Sequence, residues 1–189
     1  MSRTRHLRAL LDAYAPGDER EAGFRDELRA LLETGEPAFE RAHYAPGHFT
    51  ASAFVVSPDE RELLLILHGK LGRWLQPGGH VEPGDADVVA AARRELREEV
   101  GLDEVVLLGD GLFDVDVHTI PASARAPEHR HFDVRFLFRA ASREVVAGDD
   151  ARAARWVPVR AAHQALDAKT GDLPSDESVM RAVRRLAAR

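Results

Sequence analysis

A glycine- and proline-rich loop that feeds directly into an acid-rich helix constrains this chain more than any other feature. The loop reads Gly78-Gly79-His80-Val81-Glu82-Pro83-Gly84-Asp85, and the helical stretch behind it ends Arg94-Glu95-Leu96-Arg97-Glu98-Glu99-Val100-Gly101-Leu102. At about 100° of rotation per residue, Glu95, Glu98 and Glu99 fall within an arc of about 100°. Val89, Ala92, Leu96 and Val100 make the neighbouring apolar stripe, so the carboxylates flank the buried face. Asp85 is the expected N-cap of a helix over 86–100, and Gly101 the residue that ends it.

Two readings of this patch compete. Arg94 precedes Glu98 by four residues, the spacing of an ordinary surface salt bridge, and a like-charge pair such as Glu95 and Glu99 costs only about 0.2–0.5 kcal/mol on an exposed helix. A solvated face could therefore carry it. Alternatively, hard divalent cations such as Mg²⁺ take carboxylate oxygens together with waters and phosphates. The turn formers Pro77-Gly78-Gly79 and Pro83-Gly84 favour the second reading, because they allow close backbone approach beside the acids.

The segment resembles the Nudix box of the Nudix hydrolase family, G-x5-E-x7-R-E-U-x-E-E-x-G-U with U bulky and aliphatic. Gly79 fits the first glycine, and Arg94, Glu95, Leu96, Glu98, Glu99, Gly101 and Leu102 fit the second half in order. Two departures lie in the front half: Asp85 replaces a glutamate, and eight residues rather than seven separate it from Arg94. If helical, the extra residue turns the Asp85 carboxylate by about 100°, so no ligand role is assigned to it.

The resemblance implies a Nudix-like α/β/α sandwich with a mixed β-sheet, and hydrolysis of a diphosphate bond in a nucleoside diphosphate derivative or related organic pyrophosphate. It implies Mg²⁺ as cofactor, with Mn²⁺ as a substitute, held by Glu95, Glu98, Glu99 and the Gly78 carbonyl. Arg94 would position a glutamate, and Glu98 is the first choice of general base. Family members also use a carboxylate on a distant loop, for which Asp149 and Asp150 are the candidates; a solvated turn is the equal alternative. Glu82, His131 and Arg135 are candidate substrate contacts, the last as a phosphate partner. The different-class alternative is a non-catalytic Nudix-fold module that binds a nucleotide-like effector.

Around the box, helices are expected over 3–14 and 19–34, broken by Pro16-Gly17-Asp18. They form an N-terminal extension over 1–45, read as a lid or a homodimerisation element, ahead of a catalytic domain over 46–189. Strands are expected at 49–57, 62–68, 73–76, 112–119, 129–139 and 154–159, with helices over 161–168 and from Ser175. The alternation in 112–119 and 129–139 predicts one core face and one polar face. His129 and His131 share the polar face; with no third ligand fixed beside them, a polar strand surface is preferred to a metal pair. Trp74 reads as a packing residue and Asp176-Glu177 as helix capping.

Composition removes several classes. The chain has no cysteine among its 189 residues, which excludes thiolate nucleophiles, disulfides and zinc–thiolate sites, fits a cytoplasmic protein, and argues against the Nudix-like isopentenyl diphosphate isomerases, which use a cysteine. A formal net charge of -6, with seven Arg against nine Asp plus Glu in residues 1–45, gives no footprint for nucleic acid. No run is apolar enough to span a membrane. In the family that the box resembles, ADP-ribose hydrolases tend to have a proline where Asp116 or Val117 stands and dinucleoside polyphosphate hydrolases a tyrosine near 117–119; this sequence has neither, so the resemblance does not point to those substrates.

Overall fold

A computed structural model describes residues 2–148, 151–167 and 171–189. It holds five α-helices and eight strands among those residues: α1 Arg3–Ala13, α2 Glu19–Leu32, β1 Gly47–Val56, β2 Glu62–His68, β3 Trp74–Leu75, β4 Gly78–His80, α3 Val88–Val100, β5 Val105–Leu107, β6 Asp114–Ile120, β7 His129–Ala140, β8 Ala151–Pro158, α4 Val159–Ala165 and α5 Glu177–Ala187. Backbone pairing runs β3-β2-β1-β7-β5, with β4 on β1, β6 on β7 and β8 on β2. The chain divides into two compact units, and β1, α3 and β7 each contribute to both.

The first unit comprises Met1–Ser52, Gly79–Ala92 and Gly109–Phe136. Its helices start on caps that the sequence supplies: Ser2 accepts the Arg5 N–H and Asp18 accepts the Glu21 N–H. Leu7, Leu10 and Leu11 of α1 and Leu28, Leu31 and Leu32 of α2 are buried, as their i, i+3, i+4 spacing requires. Each such leucine stabilises the unit by roughly 1.5–3 kcal/mol. Phe39, on a short 3₁₀ turn over Glu36–Phe39, packs against Phe49 of β1, which in turn meets Phe132 of β7. Helix α2 lies against β6.

β6 and β7 form an antiparallel hairpin in which Asp114 faces Arg135, Asp116 faces Asp133 and His118 faces His131. The inward set Phe113, Val115, Phe132, Val134 and Phe136 is buried as the alternation predicts. The expected polar face differs, because Asp114, Asp116, His129, Asp133 and Arg135 are buried as well. Period-two patterning separates two faces of a strand without saying what covers either one.

The second unit comprises Ala53–Gly78, Arg93–Leu108 and Leu137–Arg189. Here β2 is the central strand, pairing antiparallel with β1, β3 and β8, and its residues Leu63–Ile66 are buried. A continuous apolar run of this kind is what a strand covered on both faces needs. β5 pairs with the end of β7, and Arg93 stacks over Phe138 while donating to the Val105 carbonyl at 2.8 Å. α4 packs on α5, whose Val179, Val183 and Leu186 are buried as expected. Asp176 sits at the N-cap of α5 without making the side-chain capping bond; its carboxylate pairs with Arg73 instead.

Candidate active site

Helix α3 begins two residues later than its sequence suggests. Asp87, not Asp85, caps it, accepting the Ala90 N–H at 2.9 Å with its side chain and the Ala91 N–H at 3.1 Å with its carbonyl. The buried stripe shifts accordingly, with Val88 rather than Val89 joining Ala92, Leu96 and Val100. Asp85 instead folds the loop: its carboxylate accepts the Glu82 N–H at 2.8 Å while its own N–H bonds the Glu82 carbonyl at 3.0 Å. The box loop is thus closed on itself between Glu82 and Asp85. Arg3 of α1 also donates to the Glu82 carbonyl at 3.1 Å, and His6 of α1 lies 3.3 Å from Asp87, so α1 braces this loop. The Glu82 residue itself is exposed.

At its other end α3 stops at Gly101, which adopts φ +68°, a left-handed conformation that glycine takes without strain. The N–H groups of Gly101 and Leu102 bond the carbonyls of Arg97 and Leu96. Between these ends the helix presents the acids. Arg94 reaches both Glu95 at 3.0 Å and Glu98 at 2.8 Å. The side chains of Arg94 and Glu95 are each 13% exposed and that of Glu98 57%, so a fixed pair stands beside an open carboxylate. Glu99 is buried and its Oε2 accepts the Gly78 N–H at 2.9 Å, which ties the glycine loop to the helix.

A third segment closes on the same helix. The Val146 N–H bonds the Val100 carbonyl and the Gly148 N–H bonds the Glu99 carbonyl at 2.8 Å. A Cβ on Gly148 would stand 2.0 Å from the Glu98 carbonyl oxygen, so only glycine fits this approach. Asp149 and Asp150, the distal base candidates, lie outside the described residues.

Three carboxylates and one guanidinium leave a formal surplus of two negative charges on this face of α3. The donors are hard oxygens on a rigid helix, with one of them open to solvent. That donor set fits a divalent cation of the Mg²⁺ type, which retains waters and takes few protein carboxylates. Glu95, Glu98 and Glu99 are its candidate ligands.

Arg135 is placed differently from the phosphate contact expected of it. It is 2% exposed, with Nη1 at 2.9 Å from Asp114, Nε at 2.7 Å from Asp133 and Nη2 at 3.5 Å from Asp116. Thr50 and Ser52 hydroxyls also donate to Asp133, at 3.0 and 2.9 Å. These three carboxylates hold the guanidinium charged, raising its pKa further despite the burial that opposes charge. The guanidinium is engaged inside the first unit.

His131 belongs to a group of five imidazoles of which the sequence pairs only two, His129 and His131. Its ring centroid lies 4.9 Å from His48, 5.2 Å from His80, 5.3 Å from His129 and 5.5 Å from His118. Burial pushes the His48 imidazole down to about 4 and holds His131 lower still, so both are neutral near pH 7. The pair His129 and His131 is visible as an i, i+2 spacing. His48 and His80 are separated from them by tens of residues and join only through β1 and β4. Trp74 is half-buried, its backbone N–H bonded to the Pro174 carbonyl, in keeping with a packing role.

Comparison with known proteins supplies the family. The chain is 38% identical over 105 residues to an isopentenyl-diphosphate Delta-isomerase of Streptomyces griseus, covering 52% of this chain and 51% of that protein. A protein of the same description from Streptomyces coelicolor is 37% identical over 117 residues, covering 58% and 57%. The matches thus span about half the length of these curated relatives. Among solved structures, a NUDIX-family hydrolase from Clostridium perfringens superposes with a TM-score of 0.54 at 25% identity, covering 75% of this chain and 97% of that one. The NUDIX domain profile matches residues 46–182, which takes in the glycine loop, the acidic helix and all eight strands. The chain belongs to the NUDIX family.

Proposed function

We propose that this protein is a divalent-metal-dependent pyrophosphohydrolase acting on a small-molecule diphosphate, with its catalytic domain beginning at residue 46. The observation that carries this reading is the Arg94 bridge between Glu95 and Glu98, beside a Glu99 clamped to the Gly78 N–H. A surface salt bridge explains the Arg94–Glu98 contact alone; it does not explain a third carboxylate buried against a glycine loop.

Bound Mg²⁺ or Mn²⁺ would neutralise charge on the phosphate oxygens, the main demand of phosphoanhydride cleavage. The chain's own residues do the rest. Glu95 and Glu99, half-buried and buried on successive turns, are the fixed oxygen donors, with the Gly78 carbonyl as a further candidate. Arg94 holds Glu95 and Glu98 in register. Glu98, the exposed member, takes a proton from the attacking water as its oxygen bonds to phosphorus and the bridging P–O bond breaks, leaving two phosphate products. Asp149 and Asp150 follow Gly148, whose N–H is bonded to the Glu99 carbonyl, and they are the alternative bases. Glu82 and His131 stay as candidate substrate contacts, whereas we read Arg135 as the counter-charge of three aspartates. Helix α1, through Arg3 and His6, steadies the box loop; pairing of two copies through the N-terminal helices is the alternative use. The cysteine-free composition suits the cytoplasm.

A second reading is double-bond isomerisation of an allylic or homoallylic diphosphate, favoured by the named activity of the two Streptomyces relatives. The absence of any cysteine counts against it. A panel of nucleoside triphosphates, nucleotide sugars, dinucleotides and isopentenyl diphosphate, assayed with Mg²⁺ and Mn²⁺, separates the readings. Metal-dependent cleavage of the diphosphate linkage that is lost in Glu98→Gln supports hydrolysis. Migration of the double bond without phosphate release supports isomerisation, and tight binding without either reaction supports an effector module.

A further inference from the structure

The imidazole group of the first unit uses none of the carboxylates of α3, and the hydrolytic reading draws on it only for His131 as a candidate substrate contact. We propose that His48, His80 and His131 form a second metal site, a three-imidazole site for a divalent transition-metal ion of the zinc class.

Geometry is the first support. One ligand nitrogen from each of the three residues lies within 4.8 Å of the others. Their ring centroids are 4.9, 5.1 and 5.2 Å apart. Three points so spaced have a common centre no farther than about 2.8 Å from each, which is 4.8 Å divided by √3. Zinc–imidazole bonds of roughly 2.0–2.1 Å would need each ring to close inward by about 0.7 Å. His80 and His131 are only half-buried, and small χ adjustments suffice.

The second support is a polar atom left over. His48 is 0% exposed, its Nδ1 faces the His43 carbonyl at 3.3 Å, and its Nε2 is buried with no hydrogen-bond partner. An unsatisfied buried nitrogen is unfavourable, and coordination would satisfy it. An imidazole fixed by a carbonyl on one nitrogen and aimed with the other is the arrangement that metal-binding histidines adopt.

Charge is the third. Asp114, Asp116 and Asp133 against Arg135 leave a formal surplus of two negative charges buried on the same hairpin. Asp116 Oδ2 holds the Nδ1 of His118 at 3.0 Å, and His118 packs edge-on to His131. A divalent cation on three imidazoles would be balanced by that surplus. Neutral nitrogen donors select Zn²⁺, Co²⁺ or Ni²⁺ over Mg²⁺, whereas the α3 oxygens select the reverse. Three protein donors also leave a position for water or a substrate oxygen.

The test uses the full chain, stripped by a chelator and titrated with Zn²⁺ in excess Mg²⁺ by calorimetry, with bound metal counted by elemental analysis. The wild type and Glu98→Gln are expected to bind one equivalent of Zn²⁺ with equal affinity. His80→Gln and His131→Asn, each confirmed folded by circular dichroism, should bind at least about tenfold more weakly, since even outer partners of metal ligands are worth 10–100-fold. Co²⁺ in place of Zn²⁺ should give the visible absorption of a low-coordinate nitrogen site in the wild type. Failure of the wild type to bind Zn²⁺, equal affinity in a folded histidine variant, or loss of Zn²⁺ in Glu98→Gln would each overturn the proposal.

Discussion

The carboxylates of α3 and the imidazoles of the first unit are assembled by opposite means. Glu95, Glu98 and Glu99 are gathered by little more than one helical turn, and Arg94 from the same helix bridges two of them. His48, His80 and His131 come from three strands; His48 is buried, His80 and His131 are half-buried, and their neighbours Asp114, Asp116, Asp133 and Arg135 are buried. An open, locally encoded patch can lose a group and keep its scaffold. The buried charges around Arg135 are part of the scaffold, so the loss of their counter-charge is a folding event.

Breaking the buried side should have the largest effect. Arg135→Met leaves three buried aspartates without their counter-charge, and it is expected to lower stability by about 3–5 kcal/mol, measured by urea unfolding. Double replacement of Arg135 by Met and Asp114 by Asn should recover part of that loss. If Arg135→Met instead left stability unchanged while raising KM for a diphosphate, the residue would be a phosphate contact after all.

A substitution where the backbone itself meets α3 sharpens the contrast. Gly148→Ala would place a methyl carbon 2.0 Å from the Glu98 carbonyl oxygen, so the segment or the helix end must move. The expected cost is about 1–3 kcal/mol in stability, together with a fall in turnover larger than that instability explains. Normal kinetics in a destabilised protein would detach the 146–148 segment from the site.

The smallest effect concerns where the helix begins. Asp87→Ala should cost about 1 kcal/mol by removing the cap, seen as a modest drop in Tm. Asp85→Ala should act on the loop instead, through the lost Glu82 N–H bond. If Asp85→Ala destabilised α3 as a lost cap while Asp87→Ala did nothing, the assignment of the cap would be reversed.

What can be read from the chain follows the same division. The acidic face of α3, its end at Gly101, both N-terminal helices and the Glu62–His68 strand rest on short-range spacing, and all are found where expected to within a few residues. The start of α3 escapes such spacing because Asp85 and Asp87 are equally good caps by chemistry, and only the closed loop decides between them. The strands at 78–80 and 105–107 are three residues each, too short for a period to show. Burial of the polar face of β6 and β7, and the meeting of His48 and His80 with His131, depend on which strands pair, which no local pattern encodes. A histidine inside a glycine loop and another at the start of a strand are the available signals, and neither specifies a partner.

Whether the α3 carboxylates perform metal-dependent hydrolysis is tested most directly by steady-state kinetics of Glu98→Gln with Mg²⁺ on the best substrate of the panel. A drop in kcat of about 10²–10⁴-fold is predicted, with Tm unchanged because the Glu98 side chain is 57% exposed. Full activity in Glu98→Gln, or hydrolysis by the wild type that persists without divalent metal, would contradict that role.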